Sequence, residues 1–444
     1  MRTSRTLWLL AFVVALVALL AVACGDDDGD GNGGEATATP QDVEPTAAEP
    51  FDVANVPGVT DTEITLGTHQ PLSNHPAQVF SRIAAVTEAY FDFINETQGG
   101  VHGRKINVIV KDDQYTPSIT NTVIRELVEQ DGVFAILSGL GTATHLTVVD
   151  YLLDRGVPDM FMSTGSVEWV KDPAARPNVF GAIPNYTAEG MILAQYISDT
   201  YPAGTKLGII FQNDEFGLDG VVGIKRALSD DIEIVAEESY EVTDPDINSQ
   251  IDLTRSAGSD VVIIYALPSH VPSAVRHARQ DLDWDVPFVI TGISANEITI
   301  NLAGEGVMEG TVSVSIFRQV SEVDHPGIIA HLALLADYTD GFGANYLTIY
   351  GQYIGELMVE TLERAGPELT REGLIAAAES ITDFVCSVCL FSVNLSATDH
   401  DSAQTVSLSQ VVDNQFVNFG DLISWEGVLP GDLTLDDLVT SPAE

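Results

Sequence analysis

The sequence predicts an α/β protein of two doubly wound lobes, each built on a parallel sheet, and three observations support this class. Short β-branched runs alternate with amphipathic stretches from about residue 58, and the same alternation restarts after Pro184. The strand segments are almost continuously apolar, which is typical of parallel sheets that helices cover on both faces. The length of 444 residues exceeds what one hydrophobic core usually holds. Two series of alternating strands and helices, each the size of a domain, therefore indicate two lobes.

The first series gives four strands separated by helices. Its strand segments are rich in β-branched residues, as in the KINVIV run that begins at Lys105. Its first helix carries an apolar stripe that includes Ala89 and Phe93. The predicted strands are residues 63–67, 105–110, 133–137 and 158–162, and the predicted helices are residues 77–95, 118–129 and 144–154.

The second series repeats this pattern. Its predicted strands are residues 206–211, 232–236, 261–265 and 287–290, and its predicted helices are residues 189–199, 219–228, 247–255 and 271–279. In open parallel sheets a ligand binds beyond the carboxyl ends of the strands, so the loops that follow the strands are expected to form the site. These loops are residues 70–76, 138–144, 163–166, 212–217, 266–269 and 291–295.

The charge balance excludes several classes of partner. The chain carries 65 Asp and Glu against 19 Lys and Arg, a formal net charge of −46. Nucleic acid binding needs a basic footprint, and an anionic membrane surface attracts a polybasic face, so neither partner is expected. Disorder is also excluded, because 45% of the residues are hydrophobic and the mean hydropathy is +0.15. Such acidity keeps a protein soluble and predicts a monomer.

The N-terminus reads as an export signal. Arg2 and Arg5 precede an apolar run from Leu7 to Ala23. The last residues of this run are small, and Cys24 follows them. The segment AVAC that ends at Cys24 resembles the lipobox of bacterial lipoproteins, so residues 1–23 are expected to be a lipoprotein signal peptide and Cys24 the acylated residue. An uncleaved membrane anchor is the alternative. Either way we expect the body to lie outside the cytoplasm, tethered to the membrane. Cleavage leaves 17 basic against 65 acidic residues, a net charge of −48.

Residues 24–57 are predicted to form a flexible acidic tether. They are rich in Gly, Asp, Thr, Pro and Ala and have few large apolar groups, so they cannot bury enough surface to offset the entropy of ordering. The run Asp26 to Asp28 lacks the twelve-residue spacing and the terminal Glu of an EF-hand, so a solvated linker is the better interpretation. The folded part is expected to begin near Gly58.

From residue 58 to about 420 the chain resembles the type I periplasmic binding proteins of the branched-chain amino acid uptake class, the Leu/Ile/Val-binding protein family. No single motif is decisive, but many occur in one order. The segments that carry the resemblance are GVTDTEI from Gly58, QPLS from Gln70, GGVHGRK from Gly99, DDQY from Asp112, LVEQDGV from Leu127, QNDEFG from Gln212 and SATDH from Ser396.

The resemblance implies a clamp of two lobes joined by a three-strand hinge, which captures a small organic solute and delivers it to an ABC importer. Hinge closure around a ligand fits two such lobes. Lobe one is expected to comprise residues 58–183 and 311–391, and lobe two residues 184–310 and 392–440. The expected partners are an amino acid or related carboxylate or amide, the membrane permease and the lipid anchor. A sensory protein of the same fold that signals to a membrane receptor is the alternative.

The resemblance also implies the residues that contact the solute. Ser73 to Phe80 match one edge of the cleft, and Ser138 lies in the loop after the third strand. Thr142 with Ala143, and Thr164 with Gly165 and Ser166, match two loops whose hydroxyl and backbone N–H groups hold a carboxylate; such groups can bind an anion without a cation. From the second lobe, Phe216 and Tyr265 match aromatic walls, and Tyr186 is a further expected contact. These residues could also be helix caps or core side chains.

Ser294 departs from the family pattern. It matches the position where an acidic side chain pairs with the α-ammonium of an amino acid, and the loop from Thr291 to Asn296 has no carboxylate. An ammonium closed into a cleft without a counter-charge would be costly. Either Asp214, Glu215 or another acid replaces the missing carboxylate, or the ligand is not an α-amino acid. The absence of this charge slightly favours a ligand other than an α-amino acid.

The sequence predicts no enzyme, no metal and no cofactor. His270 and His277 stand two helical turns apart without a third ligand nearby. The sequence has no G-x-S-x-G nucleophile elbow. Gly139 and Gly141 lack the later glycine of a dinucleotide-binding loop.

Besides Cys24, the only cysteines are Cys386 and Cys389. No thioredoxin-like pattern surrounds this C-x-x-C pair. In an oxidising compartment a short structural disulfide near the third crossover is the better interpretation.

Overall fold

A computed structural model describes residues 55–443. The expectations for the signal peptide, for Cys24 and for nearly all of the tether lie outside these residues. Between residues 55 and 443 no helix combines the length and the apolar character that a membrane crossing requires.

The first sheet has five parallel strands in the order β2-β1-β3-β4-β5. The strands are β1 Glu63–Gln70, β2 Lys105–Asp112, β3 Ile136–Leu137, β4 Asp159–Met162 and β5 Val179–Gly181. The helices of this part are α1 Ser81–Thr97, α2 Pro117–Glu129, α3 Thr142–His145, α4 Val149–Asp154 and α5 Val167–Val170. The predicted helix 144–154 is thus two short helices. Of the predicted strand 133–137, β3 covers the last two residues, and Phe134 and Ala135 also form backbone hydrogen bonds with β1.

The second sheet has eight strands in the order β13-β12-β11-β10-β9-β8-β6-β7. Its strands are β6 Lys206–Gln212, β7 Glu233–Tyr240, β8 Val261–Tyr265, β9 Phe288–Ile290, β10 Val312–Ser315, β11 Thr405–Val412, β12 Gln415–Ser424 and β13 Val439–Ser441. The strands β6 to β10 are parallel, and β11, β12 and β13 extend the sheet antiparallel. Its helices are α6 Tyr186–Thr200, α7 Glu215–Ala227, α8 Asn248–Ser256, α9 Val271–Arg276 and α10 Glu297–Ala303.

The central strands of both sheets are buried on both faces, as their continuous apolar sequences predict, whereas β2, β7 and β12 are partly exposed and β13 is exposed. Successive residues of a strand point to opposite faces, and in β8 the neighbours Ile263 and Ile264 belong to two different apolar clusters. Ile136 and Leu137 of β3 divide in the same way. The α/β class with two parallel-sheet lobes is therefore confirmed, and the antiparallel half of the second sheet adds to it.

The chain passes between the two sheets three times. It leaves the first sheet after β5, leaves the second sheet after β10 and returns to the second sheet at β11. Between the last two passages come α11 Pro326–Tyr338, α12 Tyr346–Ala365 and α13 Arg371–Glu379, and α12 packs against α1. We call the first sheet with α1–α5 and α11–α13 lobe one, and the second sheet with α6–α10 lobe two.

The pairing of β10 shows where the second passage begins. Val312 to Ser315 bond to β9 and β11 inside the second sheet. The chain therefore leaves that sheet after Ser315. The segment before β11 contains the disulfide between Cys386 and Cys389, and Cys389 forms an isolated bridge with Phe317.

Asp401 lies buried at these passages. It bridges to Gly181 at the end of β5, and its Oδ2 accepts a hydrogen bond from Asn185 Nδ2 at 3.1 Å. Burial, with a smaller contribution from the charge of Asp399, raises the pKa of Asp401 from its ordinary 3.8 to about 8. The folded protein thus holds a proton here that the unfolded chain releases.

Two glycines let α6 and α7 pack closely, because a Cβ on Gly190 would lie 2.4 Å from Gly220 O and one on Gly223 would lie 2.1 Å from Thr187 O. These distances are too short for any larger residue, so the two glycines fix the distance between the helices. A third, Gly220, lets α7 approach β8, since a Cβ there would lie 2.3 Å from the Tyr265 ring. This pair of helices carries Tyr186 and Phe216 toward the first sheet.

Replacement of Gly223 by alanine is expected to destabilise the protein by about 1–3 kcal/mol, because the added methyl group forces the two helices apart. Urea unfolding measures the change. Gly343→Ala is the matched control, since a Cβ there meets no atom within 4 Å and the backbone is not left-handed. Equal unfolding midpoints for the two variants would contradict this account of the helix packing.

Replacement of Asp401 by asparagine is expected to flatten the pH dependence of stability. Because the folded-state pKa lies above the unfolded value, the stabilisation is complete below about pH 4 and is lost as pH rises through about 8. The loss amounts to about 1.4 kcal/mol per pH unit. Urea unfolding gives the free energy of unfolding of the wild type and of Asp401→Asn at each pH between these limits. The difference between the two should change with this slope, and parallel plots of the free energy against pH would refute the account.

Candidate functional site

A cavity lies between the two lobes, where the loops that follow the strands of both sheets meet. The space between its lining atoms is about 410 Å³, including solvent that is open to the outside. Its walls are mainly aliphatic and aromatic, and among these described lining residues none carries a charge. The lining residues are Phe80, Ile83, Tyr115, Leu140, Gly141, Thr142, Ser163, Ile183, Tyr186, Phe216, Leu267, Ile293 and Tyr350. The cavity therefore suits a hydrocarbon body.

Two hydroxyl-bearing loops of lobe one meet at the polar end of this cavity. Thr142 begins α3 after Gly141, whose φ of 100° makes the turn. Thr164 follows β4, and the Oγ1 atoms of Thr142 and Thr164 lie 2.6 Å apart. The sequence predicted that these two loops hold the solute together, and the structure brings them into direct contact.

The phenol of Tyr186 occupies this polar end. Its ring lies against Gly165. Burial raises the pKa of Tyr186, and the nearby Gly165 N–H and the hydroxyls of Thr164 and Thr142 offset part of the rise. Tyr186 belongs to α6 of lobe two, and its backbone N–H donates to Gly165 O at 2.7 Å. The polar groups that could hold a carboxylate thus lie beside a neutral phenol of the protein.

A second chain of hydroxyls lines the lobe-one wall. Tyr350 of α12 donates to Ser163 Oγ at 2.9 Å, and Ser163 Oγ lies 2.6 Å from Ser138 Oγ. These three groups are buried, and Tyr350 and Ser163 border the cavity. They offer a polar contact that can turn toward a bound solute.

Aromatic rings form the wall of lobe two. Phe216 of α7 packs edge-on against Tyr186 with ring centroids 4.9 Å apart, and Tyr265 lies behind Phe216 at 5.6 Å. Tyr265 is fully buried and its hydroxyl donates to Tyr186 O at 3.2 Å. Phe216 therefore faces the cavity, whereas Tyr265 supports it from behind.

Ser294 does not face the cavity, because its hydroxyl donates to Ala266 O at 2.5 Å inside lobe two. The carboxylate that the sequence could not find near this loop comes from Glu189, in the first turn of α6. Gly292 N–H donates to Glu189 Oε1 at 3.0 Å. Burial raises the pKa of Glu189, and the neighbouring polar groups of Thr291, Tyr265 and Gly292 counter part of the rise.

Glu189 borders a small cavity that adjoins the main one. The two cavities share Ile183 and Ile293 in their walls. Neither acid that the sequence proposed as a replacement has this position. Asp214 caps α7, where Gln212 donates to it at 2.6 Å, and Glu215 is exposed. Glu189 is therefore an acid at the margin of the cleft.

Two carboxylates of lobe two bind helix N-termini of lobe one. Asp219 of α7 accepts hydrogen bonds from Ser166 Oγ at 2.8 Å and from Val167 N–H at 3.2 Å, at the start of α5. Glu297 of α10 accepts from Tyr346 N–H at 2.9 Å, at the start of α12. The positive end of a helix dipole favours such an anion. These contacts, which we call the two latches, hold the lobes together across the cleft.

Four of the predicted contact residues, Phe80, Thr142, Tyr186 and Phe216, line the cavity. The other predicted contacts lie behind its wall or at its margin: Ser73, Ser138, Ala143, Thr164, Gly165, Ser166, Tyr265 and Ser294. Hydrogen bonds account for several of these positions, since the Ser73 hydroxyl donates to Asp112 and the Ser166 hydroxyl donates to Asp219.

Sequence reasoning missed several lining residues. Most of them, such as Leu140, Ser163, Leu267 and Ile293, lie in the loops that were predicted to form the site. Tyr350 lies on α12, in a part of the chain for which no element was predicted. Its ring is one of a cluster with Phe317, Tyr346 and Tyr353, and this tyrosine-rich stretch was the available signal.

The chain belongs to the periplasmic binding protein family, whose model matches residues 63–415. This family consists of extracytoplasmic binding proteins, so the prediction of a binding protein and not an enzyme is confirmed. An amino acid binding protein of Pseudomonas aeruginosa is 22% identical over 184 residues, which are 41% of this chain and 48% of that protein. The chain thus spans about half the length of this curated relative.

Several solved structures share the fold. A branched-chain amino acid ABC transporter protein of Thermus thermophilus with bound valine matches 82% of this chain and 97% of its own, with a TM-score of 0.73 and 19% identity. A fatty acid ABC transporter substrate-binding protein of Thermomonospora curvata matches 87% of this chain and 98% of its own, with a TM-score of 0.74 and 21% identity. A solute binding protein of Rhodopseudomonas palustris in complex with 3,4-dihydroxybenzoic acid matches 84% of this chain and 100% of its own, with a TM-score of 0.72 and 19% identity.

Replacement of Asp219 by asparagine is expected to open the lobes in the absence of solute. Hydrogen bonds to a charged group contribute about 1.5–3 kcal/mol, so weakening this latch should lower the ratio of closed to open molecules about tenfold. Small-angle X-ray scattering reports the change as a larger radius of gyration. Glu215→Gln is the matched control, because it removes the same charge from an exposed site on the same helix. A scattering curve for Asp219→Asn that equals the control would refute the latch.

Proposed function

We propose that this protein is an extracytoplasmic solute-binding protein that captures a small organic solute between its two lobes and delivers it to an ABC importer. One observation carries the proposal: an uncharged cavity lies between the lobes and is bordered by loops from both. Closure of such lobes buries the solute on all sides. The names of the relatives from Pseudomonas aeruginosa, Thermus thermophilus and Thermomonospora curvata support binding and transport as the role.

The solute has a hydrocarbon body and one polar end, as in an amino acid or a related carboxylate or amide. The aliphatic and aromatic walls around Phe216 and Ile293 supply the apolar contacts. Thr142 and Thr164 supply the polar ones, and a solute carboxylate reaches them by displacing the Tyr186 phenol. Glu189 is the partner for an ammonium group, since its carboxylate lies beside the cleft with no cation bound to it in the described structure.

A lipid anchor on Cys24 completes the proposal. The signal-like residues 1–23 and the AVAC segment support it, and the acidic tether up to residue 57 would let the lobes reach the permease. Mass spectrometry of the membrane-extracted protein tests the anchor. Diacylglycerol on an N-terminal Cys24 is the expected result, and an unmodified Met1 start would exclude it.

Matched pairs of solutes test the function and the role of Glu189. Leucine and 4-methylpentanoate share one body and differ in the ammonium group, as do phenylalanine and 3-phenylpropanoate. A bound solute raises the melting temperature by mass action, so thermal-shift measurements on the wild type identify the solutes. Glu189→Gln is expected to weaken the binding of any ammonium-bearing solute about 100-fold or more, because its ammonium group would be buried unpaired. The affinity for the matched solute without an ammonium group is expected to stay unchanged.

Glu215→Gln serves as the control, since this residue is exposed outside the cavity. Equal effects of Glu189→Gln on both members of a pair would remove Glu189 from solute recognition without touching the proposed function. Failure of every amino acid, carboxylate and amide of this size to stabilise the wild type would contradict the proposed function itself.

A further inference from the structure

Four buried titratable side chains form one continuous hydrogen-bonded chain beneath the cleft loops of lobe one. His69 Nδ1 lies 2.7 Å from Asp113 Oδ2, and His69 Nε2 lies 3.1 Å from His145 Nδ1. His145 Nε2 lies 2.5 Å from Asp159 Oδ2. All four side chains are fully buried. None of them borders the cavity, and the proposed capture of solute makes no use of them.

This chain, which we call the histidine clamp, joins α3 to three strands. His145 is the last residue of α3, which Thr142 begins, while His69 lies in β1 and Asp159 begins β4. Asp113 follows β2 and also accepts hydrogen bonds from Tyr115 N–H and Thr120 Oγ1, each at 2.9 Å. The position of the helix that carries Thr142 therefore depends on the clamp.

The loop that borders the cavity runs directly over the clamp. A Cβ on Gly139 would lie 2.7 Å from His69 Nε2 and 2.9 Å from His145 Nδ1, so only a glycine lets the backbone approach this closely. The next residues, Leu140, Gly141 and Thr142, line the cavity. A displacement of either imidazole thus moves the wall of the solute site.

The clamp has a fixed proton content. Each of its three hydrogen bonds needs one proton, so the intact chain holds three protons on two imidazoles and two carboxylates. If both carboxylates are ionised, one imidazole is neutral and the other is a cation, and the net charge is −1. Every other placement of three protons gives the same total.

A change of one proton on the imidazoles breaks the chain at its centre. With one proton more, an N–H of His69 points at an N–H of His145 across 3.1 Å. With one proton fewer, two lone pairs face each other there. Either arrangement leaves buried polar atoms unpaired, which is costly in an interior of low dielectric constant.

Few other charges face the clamp. Asp113 acts electrostatically on Tyr115 and on His75, whose pKa is lowered chiefly by burial. Trp169 of α5 packs edge-on against His145 with ring centroids 5.4 Å apart, and the guanidinium of Arg176 lies 5.8 Å from the Trp169 ring. Oδ1 of Asp159 has no hydrogen-bond partner among the described residues. The carboxylate of Asp159 is thus held chiefly by its hydrogen bond with His145.

We propose that Asp113, His69, His145 and Asp159 are positioning residues that hold the Thr142 loop in its solute-binding place only while the chain carries three protons. The loop is then rigid inside a window of pH and mobile on either side of it.

Hydrogen exchange of the full chain, followed by mass spectrometry between about pH 4 and pH 9, tests the proposal without any solute. The amides of residues 140–148 are the reporter, and α13 of the same lobe is the internal reference for the intrinsic effect of pH. We expect protection of the reporter to pass through a maximum and to fall about tenfold per pH unit beyond an edge, as uptake or loss of one proton requires. Protection that follows α13 at every pH would overturn the proposal.

Asp159→Asn separates proton content from simple packing. The amide oxygen can still accept from His145, but one negative charge is lost, so the third proton leaves more easily and the alkaline edge moves to lower pH. His331→Gln is the control, because His331 is a buried histidine whose partners, Gln352 and Thr348, are neutral. An unmoved edge in Asp159→Asn, or an equal shift in His331→Gln, would count against the clamp; if Asp159→Asn does not fold, the wild-type profile alone decides.

Discussion

The docking of Tyr186 onto the loop after β4 is the interaction on which the cleft depends. Its backbone N–H donates to Gly165 O, its carbonyl accepts from Tyr265, and its phenol lies near the hydroxyls of Thr142 and Thr164. One residue at the start of α6 thereby joins the loops of lobe one to the aromatic wall of lobe two. Because buried polar groups must be paired, the two lobes can meet here only with these bonds made.

The cleft is built for recognition with few fixed charges. Its walls are apolar, its polar end is made of hydroxyls and backbone N–H groups, and Glu189 accepts a hydrogen bond from a neutral donor, the Gly292 N–H. The polar end offers a carboxylate solute no cation, so we expect the hydrocarbon body and lobe closure to supply most of the free energy of binding.

The sequence predicted the parts of this structure that depend on local pattern. Periodicity located β1 to β4 and β6 to β9, and the rule that ligands bind at strand ends located the loops that line the cavity. It could not find Glu189, since an acid in the first turn of a helix usually lies at the surface, and only the fold turns it beneath Gly292. Tyr350 and the role of Tyr186 also depend on the packing of the lobes, which no local pattern records.

The two latches have a consequence for the acidic character of the chain. Asp219 and Glu297 are bound by neutral donors at helix N-termini and not by lysine or arginine. Dissolved salt weakens the attraction between exposed opposite charges but acts far less on hydrogen bonds at partly buried sites. With only 19 basic residues the chain has few Lys and Arg side chains that could form ion pairs between the lobes. Dissolved salt therefore has little effect on what the two latches contribute to closure of the cleft.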